Sequence, residues 1–201
     1  MSYTATQNRT DTAKRHSDSD HGTTTTAVVA GAAGFGLGLL AAAGRKAVVQ
    51  AATYSAGDWM EGLKAEHKAA RLILEKLAET TDDEQAKRAP LVLSLQHAIG
   101  KHNVQEEYVV YCVLAETGQD SAADHLNADH FELKKGLYEL EQIGKEQRPG
   151  FLAKLAEIRA SFEEHVREEE DDIFPTLHAA LSAEQQTNLT NRMNREGFKV
   201  A

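Results

Sequence analysis

The sequence predicts an all-α fold, an antiparallel bundle of four helices followed by a short fifth, and three observations carry that prediction. From Asp58 onward, apolar residues recur in the i, i+3, i+4 rhythm of amphipathic helices and pause only at turn-forming stretches. No Val/Ile/Thr-rich alternating stretch competes, so the sequence offers no candidate strand. The chain also repeats itself, because a shift of 63 residues lays the apolar frame and several ionisable residues of one half on those of the other. Two helix pairs stacked face to face are the simplest architecture that uses such a repeat.

Taken in order, residues 1–22 are polar, lack apolar periodicity and cannot bury enough surface to offset the entropy of ordering, so a disordered tail is expected. Residues 23–57 form an Ala/Gly-rich apolar segment and linker. Within it, residues 23–44 carry no charge and are followed at once by Arg45 and Lys46. That length could span a bilayer, and Gly34 and Gly38 have the small-xxx-small spacing of close helix pairs in lipid. Three readings stay open: a membrane anchor, an Ala/Gly linker or packed helix, and a signal peptide with an Ala41-x-Ala43 cleavage pattern. Asp18 and Asp20, close before the run, count against the last. If the segment spans, Arg45 and Lys46 place the following domain in the cytoplasm, anchored to the inner face of the membrane.

The bundle domain is expected over residues 58–181. The loops TTDD, TGQDS and KEQRPG, with Pro90, Pro149 and Pro175 near the limits of apolar periodicity, divide it into helices at about 62–79, 90–116, 123–142 and 150–180. In residues 182–201, Ser182-x-x-Gln185 has the form of a capping box and predicts a short extra helix before the C-terminal tail.

Composition narrows the function. A chain of 201 residues has room for one ordinary domain plus a tail. The net charge of −9 argues against a nucleic-acid partner, since acidic side chains repel phosphates. The charge is uneven: +2 over residues 1–57 and −11 beyond. A single cysteine, Cys112, excludes an internal disulfide and a thiolate metal site, and is compatible with a reducing compartment. Nine histidines are the compositional excess, and imidazole is the commonest side-chain ligand for transition metals.

The repeat tells which histidines matter. The shift lays His67 on His130, His102 on His165, Glu106 on Glu169 and Glu107 on Glu170. His102 and Glu106 follow Leu95 and Ile99 in the apolar phase of the second helix, as His165 and Glu169 follow Ile158 and Phe162 in the fourth. His67 lies between Leu63 and Leu74, and His130 between Leu126 and Leu137, so each helix presents one imidazole inward. A lone inward histidine is usually a satisfied core residue. Four at repeat-related positions, two with an in-phase glutamate, point instead to metal ions, which neutralise the carboxylates and use the imidazole lone pairs. The i, i+4 spacing stacks His102 over Glu106, and His165 over Glu169, about 6 Å apart along the axis, a reach that suits two adjacent metals with carboxylates between them. Glu107 and Glu170 are expected at the surface or behind the ligands. His97 and His125 lie about 140° around their helices from the nearest candidate and are left out. Trp59 and Tyr111 either line the site or pack in the core.

His67, the run H-N-V-Q-E-E from His102, His130, and the run H-V-R-E-E-E-D-D-I-F-P from His165 resemble the hemerythrin HHE cation-binding domain over about residues 60–180. The resemblance implies an up-down-up-down four-helix bundle holding two iron ions with an oxo or hydroxo bridge. It makes His67, His102, His130 and His165 terminal ligands and Glu106 and Glu169 carboxylate bridges. A ferritin-like di-iron fold would need Glu-x-x-His, but Lys64, Ile99, Asn127 and Phe162 stand three residues before the four histidines. The oxygen-carrying branch of the family has a fifth histidine where this chain has Leu126. The family also usually carries a proline at the place of Cys112, the repeat neighbour of Pro175.

Two octahedral metals offer about twelve coordination positions, and these ligands with one bridge leave about two open for dioxygen, peroxide or nitric oxide. A redox, gas-sensing, stress-response or iron-handling role is therefore expected ahead of bulk oxygen storage. Whether the protein is an enzyme is left open; if it is, the resemblance implies a di-iron oxidoreductase acting on peroxide or a similar small species. The alternative from another class is a membrane-associated structural or stress-response protein whose metal is only structural.

Overall fold

Asp58 caps the first helix of the bundle: its side chain accepts a hydrogen bond from the Glu61 amide at 2.9 Å, one of the amides a helix start leaves without a backbone partner. The computed structural model describes residues 46, 50, 51 and 53–201. The expected tail at 1–22 and the uncharged run at 23–44 lie outside the described residues. Helix α1 spans Trp59–Ala78 and buries Leu63, His67, Ala70, Leu74 and Leu77 along one stripe. It starts three residues before the periodicity because the cap, not the first apolar residue, sets the first turn.

Helix α2, Gln85–Gln105, starts five residues before Pro90, which lies inside it. Proline there forfeits one backbone bond, to the Ala86 carbonyl. The early start is held by Arg88, whose Nε donates to Thr80 Oγ1 at 2.9 Å and whose guanidinium lies 4.3 Å from the Phe151 ring centre. A π-helical turn, Glu106–Val110, joins α2 to the short helix α3, Tyr111–Glu116. Helix α4 is Asp120–Lys145, and α5 is Phe151–Glu168. A second π-helical turn, Glu169–Ile173, leads into α6, Phe174–Ala180.

The helix predicted after Ser182 is present, with both hydrogen bonds of the capping box made between Ser182 and Gln185. Named α7, it spans Ala183–Val200 and is longer than expected, because Leu189 and Met193 join the core and extend its apolar face. No strand occurs among the described residues. Nor is any helix among them long and apolar enough to cross a membrane.

Helix α1 packs against α2 and α5, α2 also against α4, and α4 also against α5, closing a ring of four. Helix α7 lies over α1, α2 and the first π turn. The interior divides into two apolar clusters. One gathers Trp59, Leu63, Val110, Leu114, Leu126, Phe174, Leu177 and Met193; the other gathers Leu74, Leu95, Ile99, Leu137, Leu155, Ile158 and Phe162. Along every helix the candidate ligands fall between the residues of these two clusters, so they form a polar slab with an apolar layer on each side.

Candidate metal centre

All six sequence-predicted residues converge in that slab, and each is buried. Their ligand atoms form two overlapping groups, His67, His102, Glu106 and Glu169 in one and His130, His165, Glu106 and Glu169 in the other, each with its atoms within 4.8 Å of one another. Both glutamates belong to both groups. Glu106 Oε2 lies 2.9 Å from His102 Nε2 and 3.2 Å from His130 Nε2. Glu169 Oε2 lies 3.3 Å from His67 Nε2 and 3.4 Å from His165 Nε2. Each carboxylate thus meets one imidazole of its own helix and one from across the bundle.

Behind every imidazole stands a second carboxylate. His67 Nδ1–H donates to Glu170 at 2.8 Å, and His130 Nδ1–H to Glu107 at 3.0 Å. His165 Nδ1 reaches Asp129 Oδ2 at 3.4 Å, and His102 Nδ1 faces Glu66 Oε2 at 3.5 Å. Such partners fix the tautomer that leaves Nε2 free toward the centre and raise its basicity. They obey the same repeat, Glu107 with Glu170 and Glu66 with Asp129. Sequence reasoning found the first pair by identity and missed the second; matching charge in place of identity would have found it.

The electrostatics of the metal-free site follow from this crowding. Burial works against the charged form of His102, but Glu106 and then Glu66 outweigh it and raise the imidazole to about 10. His67 and His130 are also raised, against burial, by Glu169 with Glu170 and by Glu106 with Glu107 respectively. Burial disfavours the Glu106 anion, yet His102 and His130 hold that carboxyl well below its ordinary range.

The two π turns begin at the two glutamates. A π turn holds one surplus residue, which lets the helix carry Glu106 and Tyr111, five apart, toward the same interior. Tyr111 therefore belongs to the site. Its hydroxyl donates to Glu169 Oε1 at 2.6 Å and lies 3.1 Å from His130 Nε2. Burial first, then Glu106 and Glu169, push the phenol well above 10, so it stays protonated. Its repeat partner is Phe174, which stacks against His67 with ring centres 6.3 Å apart and planes 7° from parallel. At this position the two halves differ by one oxygen atom. Trp59 packs edge-on against Phe174 at 5.4 Å, in the core rather than at the centre.

Cys112 is exposed, and its thiol donates to the Glu107 carbonyl at 3.5 Å, so the helix continues without the proline found at position 175. Leu126 is fully buried. His97 is exposed, and His125 lies outside the two groups above.

The residues fit a pair of cations. Glu106 Oε1 and Glu169 Oε2 are buried without a hydrogen bond, an arrangement that costs about 1–3 kcal/mol per group unless something positive meets them. Imidazole and carboxylate together suit first-row transition metals.

Comparison with known proteins agrees. An uncharacterized hemerythrin-like protein of Schizosaccharomyces pombe is 30% identical over 101 residues, which cover 48% of this chain and 49% of that protein. The match thus spans about half the length of this curated relative. Residues 60–177 match the hemerythrin HHE cation binding domain, well over half of the chain, and the chain belongs to that family.

Proposed function

We propose that this chain is a non-haem di-iron protein that binds or reduces dioxygen, peroxide or nitric oxide, in sensing, stress response or iron handling. In this reading the ring of α1, α2, α4 and α5 is an up-down-up-down bundle. His67 and His102 would hold one ion and His130 and His165 the other, with Glu106 and Glu169 available to both. The observation that carries it is the sharing of both carboxylates between two groups of four donors. Bound iron would supply reversible one-electron chemistry and open coordination positions.

The chain's own residues do the rest. The four outer carboxylates orient the imidazoles, and the two apolar clusters exclude water from both ends of the slab. Tyr111 holds a proton at its hydroxyl beside Glu169, where it can donate to a polar species entering between the carboxylates. The test is iron content of the full chain, purified under reducing conditions, with visible absorption recorded before and after dioxygen or peroxide. Two irons per chain and a spectrum that responds are expected. Zinc retained in preference to iron, or no metal, would overturn the reading. His102→Ala and Glu106→Ala should each abolish loading.

A further inference from the structure

A second cluster of ligand atoms lies on the outer face of the bundle. His125 and Asp129 on α4 and Glu168 on α5 bring one ligand atom each within 4.8 Å of one another. His125 Nε2 lies 3.2 Å from Glu168 Oε2 and 3.7 Å from Asp129 Oδ2. The same Asp129 oxygen is 3.4 Å from His165 Nδ1. These residues line an open groove of about 340 Å³ in which His165 forms part of the wall.

The repeat shows what belongs there. Moving back by 63 residues takes Asp129 to Glu66, Glu168 to Gln105, Glu164 to Lys101 and His125 to Gly62. In that half the corresponding place is filled by a cation, because the Lys101 ammonium donates to Glu66 at 2.6 Å, to Gln105 at 3.1 Å and to Thr53 at 3.2 Å. Thr53 and Met193 press close over Gly62, so the place is also roofed. In the second half the lysine becomes Glu164, which lines the same groove and pairs with Arg167 at 3.3 Å. Glutamine becomes the carboxylate Glu168, and glycine becomes His125. The built-in cation is gone, the counterparts of its acceptors Glu66 and Gln105 are both carboxylates, and an imidazole has been added.

We propose that His125, Asp129 and Glu168 bind one divalent first-row transition-metal ion, in the place that the Lys101 ammonium takes in the other half. Water completes its coordination, and Asp129 connects it to His165. An ion held there waits beside the centre, so the site serves loading. The loading role rests on the di-iron reading above; the site itself does not.

Mn²⁺ titration of the full chain at pH 7.5, with free ion counted by electron paramagnetic resonance, tests it. One ion beyond those of the centre is expected. His125→Ala combined with Glu168→Gln should weaken that ion at least tenfold and leave the others. Glu164→Lys, which restores the lysine of the first half, should also remove it. His102→Ala should lose the ions of the centre and keep this one, which separates failure here from failure of the di-iron reading. Equal counts for the unaltered chain and the His125/Glu168 variant would overturn the site. Loading of the centre with Fe²⁺ should slow at least fivefold in that variant; an unchanged rate would overturn the loading role.

Discussion

At the scale of single residues, the centre depends on groups that never reach its interior. Glu107 accepts from His130 and also pairs with Lys134 at 2.9 Å, so Glu107→Gln keeps a partner of similar shape but removes its charge. Metal affinity is expected to fall about 10–100-fold with the helical spectrum unchanged, measured by competition with a chelator. The pH dependence has a definite sign. In the metal-free protein, His102 sits at about 10 against its ordinary 6.5, so its contribution to stability is full below about 6.5 and disappears as pH rises toward 10. Glu106 lies below its ordinary 4.5, so its contribution is present above that value and disappears as pH falls through the lowered one. Thermal unfolding of the chelated protein should peak at about pH 4.5–6.5 and weaken on the alkaline side. Metal affinity should run the other way, rising with pH, because bound imidazoles must be neutral.

At the scale of elements, the π turns separate what the ligands need from what the helices need. Deleting Tyr108, which is exposed inside the first π turn, removes its surplus residue and converts the turn to α-helix, leaving the phase of the flanking helices intact. Deleting Ala98 in the regular part of α2 instead rotates everything beyond it by about 100° relative to the residues before it. The Tyr108 deletion should fold with near-native helix content, and the Ala98 deletion should unfold or lose its metal, by circular dichroism and metal analysis. Four helices and their inward stripes were legible because the 3.6-residue period extends over every one. The π turns were not, because a single surplus residue leaves the flanking periodicity almost unchanged and is identified only by which carbonyl each amide meets.

At the scale of the whole molecule, α7 behaves as part of the bundle, together with Gln50 and Thr53 among the described residues before Asp58. Gln50 donates to Asn194 at 3.1 Å, and both Gln50 and Thr53 are buried. Leu189, fully packed within the cluster that holds Trp59 and Phe174, ties α7 to the core. Leu189→Ala is expected to cost about 2–5 kcal/mol in chemical denaturation, against almost nothing for a strictly four-helix domain with a loose tail.

Residue order by itself determined that this chain is helical and duplicated, and that three donors per half lie in the apolar phase of their helices. Those facts are periodic, and periodicity is local. Tertiary structure alone decided that the six donors fall into two groups sharing both carboxylates, that Tyr111 joins them while its partner Phe174 stays in the core, and that Lys101 fills a place left open to solvent in the other half. The physical reason is that a hydrogen bond or a coordination position depends on distances between different helices, as between Tyr111 and His130, 19 residues apart, or His67 and Glu170, 103 apart. Those distances are set by how two apolar clusters pack, which no single helix encodes.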